Sequence, residues 1–209
     1  METDELWRRI HQRRVELADQ LETLTVQEWE LPSLCAGWTV RDVAAHVISS
    51  ASASLADVLT MMVKARLNFN RAMFDEAKRR SARPTDEIVG DYRRLAGSRR
   101  RPPGTSRFDP LVDVLVHTQD IVRPVGRRQP ISASDALAVG DHVWSMGFPY
   151  RAQRRLHGLR LSATDVAWTA GSGQLVEGPM GALLLLMTGR TASVAELSGA
   201  GVAQLTGTT

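Results

Sequence analysis

The apolar and polar residues of the first 146 positions follow the period of an α-helix. In residues 4–24 the apolar side chains recur every three or four positions, which predicts one amphipathic helix. Thr39 and Asp42 have the spacing of a capping box, so a second helix is expected to begin directly after Thr39. Helical character then continues over residues 40–80, with an interruption expected near residues 68–70.

Further helices are expected in the rest of this region, between proline, glycine and capping residues. They are predicted at residues 85–96, 110–124 and 132–146. No segment up to residue 146 has the clear alternation of a strand. The pattern therefore predicts a mainly α fold, with a four-helix-type bundle over residues 1–150.

The pattern changes after Tyr150, where short and partly alternating segments are separated by Asp165 and by a Gly-Ser-Gly turn. Strands are expected at residues 159–163, 166–170 and 174–177, followed by helices at 181–188 and 194–197 and a terminal strand at 202–205. Residues 151–209 are therefore expected to form a small α+β C-terminal domain.

The composition excludes several classes of protein. With 43% hydrophobic and 23% charged residues, the 209-residue chain is typical of a soluble globular protein. Its one cysteine, Cys35, rules out an internal disulfide and a cysteine-rich zinc site. The longest apolar run is too short to span a bilayer, and the acidic start does not resemble a signal peptide. A cytoplasmic protein that does not enter the membrane is expected.

The basic pI of 9.6 does not by itself indicate a nucleic-acid partner. The net charge is only +3, and Lys64 and Lys78 are the only lysines, so arginine dominates the basic residues. The arginines are spread among acidic residues along amphipathic helices and lack interleaved aromatic side chains. No nucleic-acid binding is expected.

Candidate chemistry comes from polar residues inside apolar helices. His46 is flanked by apolar residues, and Asp113 and His117 lie four positions apart on one face of another apolar helix. Burying these groups is costly unless they are paired or bind a cation. One interpretation is a hydrogen-bonded Asp113–His117 pair that fixes the helix register. The other is a divalent-metal site formed by His46, Asp113 and His117, with one coordination position left open.

Two neighbouring residues leave further alternatives. Asp120 lies one turn beyond His117 and either accepts a hydrogen bond from its imidazole or forms an ion pair with Arg123. Cys35 precedes the second helix and has no histidine near it in sequence, so it is interpreted as a packing residue.

Three strings of residues add a family resemblance. LPSLCAGWTVRDVAAHV at residues 31–47 closely resembles the signature of the mycothiol-dependent maleylpyruvate isomerase family, a branch of the DinB-like helical bundles. DVLVHTQDIVRPVG at residues 113–126 and the long string at residues 159–190 resemble later parts of the same family in the same order. The resemblance thus covers nearly the whole chain.

The resemblance implies a DinB-like bundle that holds a divalent ion at His46, Asp113 and His117, with zinc as the leading candidate. The isomerase itself is similar but has Glu where this chain has Asp113, and the shorter side chain puts the metal preference and affinity in doubt. The family also presents an arginine near the metal, and Arg190 matches its place. Arg190 would then hold a substrate carboxylate in a bidentate contact. The alternative is an arginine that only complements a helix C-terminus.

These implications favour a mycothiol-dependent thiol S-transferase or isomerase that acts on a small electrophilic substrate. Its partners would be the small-molecule thiol and the electrophile, and the protein would be a monomer or homodimer. Two alternatives stay open: a DinB-like metal-dependent hydrolase, and a metal-free helical binding or regulatory module.

Overall fold

The computed structural model of the protein describes residues 1–206. Among these residues the helices are α1 Thr3–Glu22, α2 Val26–Trp29, α3 Val40–Ser49, α4 Leu55–Lys64, α5 Phe69–Ser81, α6 Thr85–Leu95, α7 Asp109–Val122, α8 Ala133–Ser145, α9 Ala152–Arg155, α10 Met180–Met187 and α11 Val202–Thr206. The strands are β1 Leu159–Ala163, β2 Thr169–Gly171 and β3 Gln174–Gly178. The predicted mainly α class, with a small α+β part at the end, is confirmed.

The first compact unit, Met1–Gln129, is a helical bundle in which α7 is the most buried element. Helices α1 and α3 each pack against both α6 and α7, and α5 packs against α3. Most side chains of α7 are buried, including the polar Thr118, Gln119 and Asp120. Asp113 and His117 on the same helix keep a small part of their accessible surface.

Helix α3 is fixed at its start by local hydrogen bonds. The Thr39 hydroxyl accepts a hydrogen bond from the Asp42 backbone N–H, and the Asp42 carboxylate accepts one from the Thr39 N–H. The same carboxylate is buried and also accepts hydrogen bonds from Lys78 and Ser81 on α5. These contacts hold α3 and α5 together one turn before His46.

The helical segment expected over residues 40–80 is divided into three helices. The interruption expected near residues 68–70 is present, and Asn68 caps α5. A second break after Ser49 was not predicted; it arises because Ser54 and Asp57 form another capping box that starts α4. The apolar stripe continues through this break, so the hydrophobic pattern alone did not reveal it.

The second compact unit begins at Pro130. Its sheet has the order β2-β1-β3, with β1 antiparallel to β2 and parallel to β3. Helix α10 packs against α8 and the sheet. Gly140 of α8 lies where a Cβ would meet the side chains of Met180 on α10 and Trp168. The change in sequence pattern predicted a boundary near residue 150. The second unit begins earlier than this mainly because it includes α8, which packs against α10.

The end of the chain differs from two expectations. The strand expected at residues 202–205 is part of helix α11: Val202 and Leu205, three positions apart, share a face of a helix but would lie on opposite faces of a strand. The short helix expected at residues 194–197 is a 3-10 turn over Thr191–Glu196. Within residues 1–206, no helix combines the length and the apolar character needed to cross a membrane.

Candidate metal centre

His46, Asp113 and His117, the three predicted metal ligands, lie together in the bundle. His46 comes from α3, and the other two come from adjacent turns of α7. Asp113 Oδ1 lies 3.8 Å from His46 Nε2 and 3.3 Å from His117 Nε2. The three side chains are recessed but retain 21%, 23% and 13% of their accessible surface, in sequence order.

The spacing of these atoms fits a divalent ion. A tetrahedral zinc site with bonds of about 2.0–2.1 Å separates its ligand atoms by about 3.4 Å. The candidate atoms of the three residues all lie within 4.8 Å of one another, and both histidines direct Nε2 towards the same carboxylate oxygen. Three protein ligands leave one position for a further ligand. The donor set and its geometry therefore fit the ion that the sequence predicted.

His46 is prepared to act as a neutral ligand. Burial lowers its pKa to about 4, with smaller contributions from the positive charges of His117 and Arg80, while the Asp113 charge acts in the opposite direction. A metal-binding imidazole must be unprotonated at the coordinating nitrogen. At neutral pH His46 is therefore already unprotonated and can bind a cation without first losing a proton.

Asp113 and His117 form a charged pair when no ion is present. Burial opposes the charge on His117, but hydrogen bonds to Asp113, Asp120 and Cys35 outweigh burial and hold its pKa well above 6.5. Burial would raise the pKa of Asp113, yet the hydrogen bond from His117 and the nearby positive charges keep it below its usual value. The Asp113–His117 pair of the other interpretation is thus also present.

Asp120 determines which nitrogen of His117 is available. Its side chain is fully buried, and Oδ2 lies 2.8 Å from His117 Nδ1. This is the imidazole–carboxylate contact expected from the sequence, and it leaves Nε2 directed at Asp113. The Arg123 Nε donates to the Gln119 side chain.

Cys35 also lies at this site, which its neighbours in the sequence did not indicate. Its Sγ is 3.1 Å from Asp120 Oδ2 and 3.8 Å from His117 Nδ1. The interpretation of Cys35 as a packing residue was therefore incomplete. Cys35 is more than 80 positions from both partners, so only the fold brings them together.

Cys35, His117 and Asp120 also form a group that could hold an ion, which shares His117 with the first group. The distances from Asp120 Oδ2 to the other two atoms, 2.8 and 3.1 Å, are shorter than the separation of about 3.4 Å in a tetrahedral metal site. They match hydrogen bonds. The Cys35 group is therefore a hydrogen-bonded cluster, and the His46 group is the candidate for an ion.

A buried arginine lies behind the site. Arg14 on α1 is 1% exposed, and its Nη1 donates to the Ala96 and Ser98 carbonyls at the end of α6. Its charge is one of those that lower the pKa of Asp113. Arg14 falls within the helical pattern of α1, and nothing in the sequence distinguished it from the surface arginines.

Arg190 belongs to the second unit, where it follows α10. Its Nη1 donates to the Thr188 carbonyl, and its side chain is partly exposed. Its expected role as a substrate-binding residue stays a prediction.

The protein thus belongs to the class of helical bundles with a candidate divalent-metal site. Two histidines and one carboxylate from the neighbouring helices α3 and α7 form this site. Residues 10–105, most of the first unit, match the family model of the mycothiol maleylpyruvate isomerase N-terminal domain. This match confirms, for residues 10–105, the family that the sequence motifs predicted.

Solved structures extend the likeness over both units. A crystal structure of the mycothiol-dependent maleylpyruvate isomerase matches with a TM-score of 0.67 and 16% identity, covering 96% of this chain and 93% of that chain. A histidine-to-alanine mutant of that isomerase matches over the same shares, with a TM-score of 0.66 and 15% identity. At these identities the likeness establishes the fold. No curated protein sequence matches the chain.

Proposed function

We propose that the protein is a mycothiol-dependent metalloenzyme, a thiol S-transferase or isomerase for a small electrophilic substrate. The observation that carries this proposal is the convergence of His46, Asp113 and His117 on one point. The family of the N-terminal domain supports mycothiol as the thiol. Zinc is the proposed ion, because two imidazoles and one carboxylate with an open position suit it.

The ion would supply Lewis-acid chemistry, since a thiol bound to a divalent metal loses its proton readily. The residues of the chain prepare the site for this. His46 stays neutral, Asp113 supplies a negative charge, and Asp120 holds the proton on Nδ1 of His117. The recessed position of the three ligands limits access of bulk water to the reacting thiol.

Metal dependence is tested by thermal unfolding of untagged, metal-free protein during zinc titration. We expect the melting temperature of the wild type to rise with free zinc, because an ion that binds only the folded state stabilises it. His46→Ala should abolish the rise, whereas His157→Ala, which changes an exposed histidine, should retain it. A wild type that zinc does not stabilise would support the metal-free module instead.

The thiol requirement is tested on cobalt-substituted protein. Adding mycothiol should produce a thiolate-to-cobalt absorption band, and the band should appear equally in Cys35→Ala, which lacks the protein's own thiol. Absence of the band, combined with metal-dependent hydrolysis of ester or amide substrates, would favour the DinB-like hydrolase.

Arg190 is proposed to hold the anionic group of the electrophile through a bidentate contact. Arg190→Met should then raise KM for an anionic electrophile at least about tenfold, the loss of roughly one charge-assisted hydrogen bond. Zinc affinity should not change. Arg160→Met on β1 is the matched control, because Arg160 is exposed in the same unit. An unchanged KM in Arg190→Met would contradict a role of Arg190 in substrate binding.

A further inference from the structure

The loop at residues 31–38, here the Cys35 loop, contacts both histidines of the candidate metal centre. The Trp38 ring meets the His46 ring edge-on, with centroids 5.1 Å apart. Cys35 Sγ lies close to His117 Nδ1 and within hydrogen-bond distance of Asp120. One short loop thus adjoins ligands that come from two different helices.

The Cys35 loop is attached to Asp120 twice. The Leu34 backbone N–H donates to the Asp120 carbonyl at 3.3 Å, and the next residue, Cys35, donates from its thiol to Asp120 Oδ2 at 3.1 Å. Inside the loop, the Ser33 hydroxyl accepts from the Cys35 N–H and donates to the Trp38 carbonyl. The thiol is therefore aimed at the carboxylate by a structured backbone.

We propose that Cys35 is a positioning residue for the metal centre: its thiol donates to Asp120, which in turn holds His117 with Nε2 directed at the ion. This inference rests on the proposed metal site and adds to it a residue for which the packing interpretation gave no role. Asp120 is fully buried, so water does not readily replace a donor that is removed. A charge-assisted donor contact at 3.1 Å restrains the carboxylate that fixes the ring.

The first arm of the test uses metal-free protein, so that it does not depend on the proposed function. In protein labelled with nitrogen-15 at histidine, the proton on His117 Nδ1 is followed by NMR and assigned with His117→Gln. We expect exchange of this proton with water to accelerate at least about threefold in Cys35→Ala, because the buried carboxylate that accepts it is less restrained. Cys35→Ser keeps a donor at the position and should recover most of the slow exchange.

The second arm measures zinc affinity by competition with a chelator. Loss of a partner in direct contact with a metal-binding histidine weakens metal affinity by about 10- to 100-fold. Cys35 acts on His117 through Asp120, so its removal should weaken zinc affinity less, by about three- to tenfold. Cys35→Ala should show this loss, Cys35→Ser should stay within about twofold of the wild type, and the melting temperatures of the metal-free proteins should agree.

Three results would overturn the inference. In the first, Cys35→Ala leaves both the proton exchange and the zinc affinity unchanged. In the second, Cys35→Ser is as impaired as Cys35→Ala, which would assign the effect to packing. In the third, cobalt-loaded wild type shows a thiolate band before any thiol is added, which would make Cys35 a ligand. A wild type that binds no zinc would contradict the proposed function, and the exchange arm would still decide on Cys35.

Discussion

At the scale of single residues, His117 is the centre of the site because its two nitrogens face two different carboxylates. Nε2 lies near Asp113, which is partly exposed, and Nδ1 bonds Asp120, which is fully buried. The ring therefore has one side for the ion and one side for support. Substitutions on the two sides should be distinguishable by experiment.

Asp120→Asn keeps the shape of the supporting side and removes its charge. We expect zinc affinity to fall by about tenfold, because the imidazole becomes a weaker donor and its orientation is less fixed. Chelator competition measures the loss, and Asp75→Asn, at an exposed position on α5, provides the control. An affinity equal to that of the wild type would mean that Asp120 does not support the ligand.

The lowered pKa of His46 predicts acid sensitivity of the metal-free protein. The unfolded chain takes up a proton on His46 near pH 6.5, but the folded protein does so only near pH 4, so stability decreases as the pH falls through this interval. From pH 7 to pH 5 the loss from this residue should be about 1–2 kcal/mol. The stabilisation linked to the raised pKa of His117 is complete below pH 6.5 and is lost only at higher pH.

Urea unfolding at pH 7 and pH 5 measures this effect, with His46→Leu as the comparison because leucine does not titrate. The variant should lose less stability than the wild type between the two pH values. Equal losses in both proteins would indicate that His46 is not desolvated in the folded state.

The sequence identified the residues whose polarity conflicted with an apolar helix. His46, Asp113 and His117 interrupt apolar segments, and the fold brings them together. Cys35 and Arg14 have ordinary sequence neighbours, and their contacts depend on tertiary packing across 80 or more positions. Such contacts leave no periodic signal in a single sequence.

At the scale of elements, helices delimited by caps were predicted well and continuous apolar stripes were not. The Thr39 and Asp42 box gave the start of α3, and Pro110 gave the start of α7 to within one residue. The break between α3 and α4 was missed because the apolar spacing continues across it. The parallel pairing of β1 with β3 was also not foreseen, since the sequence pattern predicted the short strands but not how they pair.

Helix α4 should be the least protected long helix of the bundle. It has no buried residue, and Leu55, Leu59 and Val63 are 58%, 57% and 71% exposed. Few buried contacts mean a low free energy of local opening. In hydrogen–deuterium exchange, the amides of α4 should exchange at least about tenfold faster than those of α7. Equal protection of both helices would show that something covers the apolar face of α4.

At the scale of the whole molecule, the basic pI does not correspond to an unshielded basic surface. Many arginines pair with nearby acidic residues, as in Arg9–Glu5, Arg79–Glu76 and Arg93–Asp19. Exposed pairs of this kind contribute little to stability. They do spread opposite charges over the surface, and the net charge remains +3.

We therefore expect no measurable nucleic-acid binding at physiological salt. Non-specific DNA binding by basic proteins has dissociation constants of about 10⁻⁴–10⁻⁶ M, and this protein should be weaker than about 10⁻⁴ M. Fluorescence anisotropy with a labelled duplex, at low and at physiological salt, measures it. Micromolar binding that weakens steeply with salt would contradict the prediction.

The double attachment of the Cys35 loop to Asp120 has a consequence for the order of events when the protein is made. The loop leads directly into α3, and Asp120 belongs to α7, so the two helices that supply the proposed metal ligands are held together by hydrogen bonds that involve no ion. We therefore expect the chain to fold without metal and to bind the proposed ion afterwards. A chelator should empty the site reversibly and leave the helical circular dichroism unchanged.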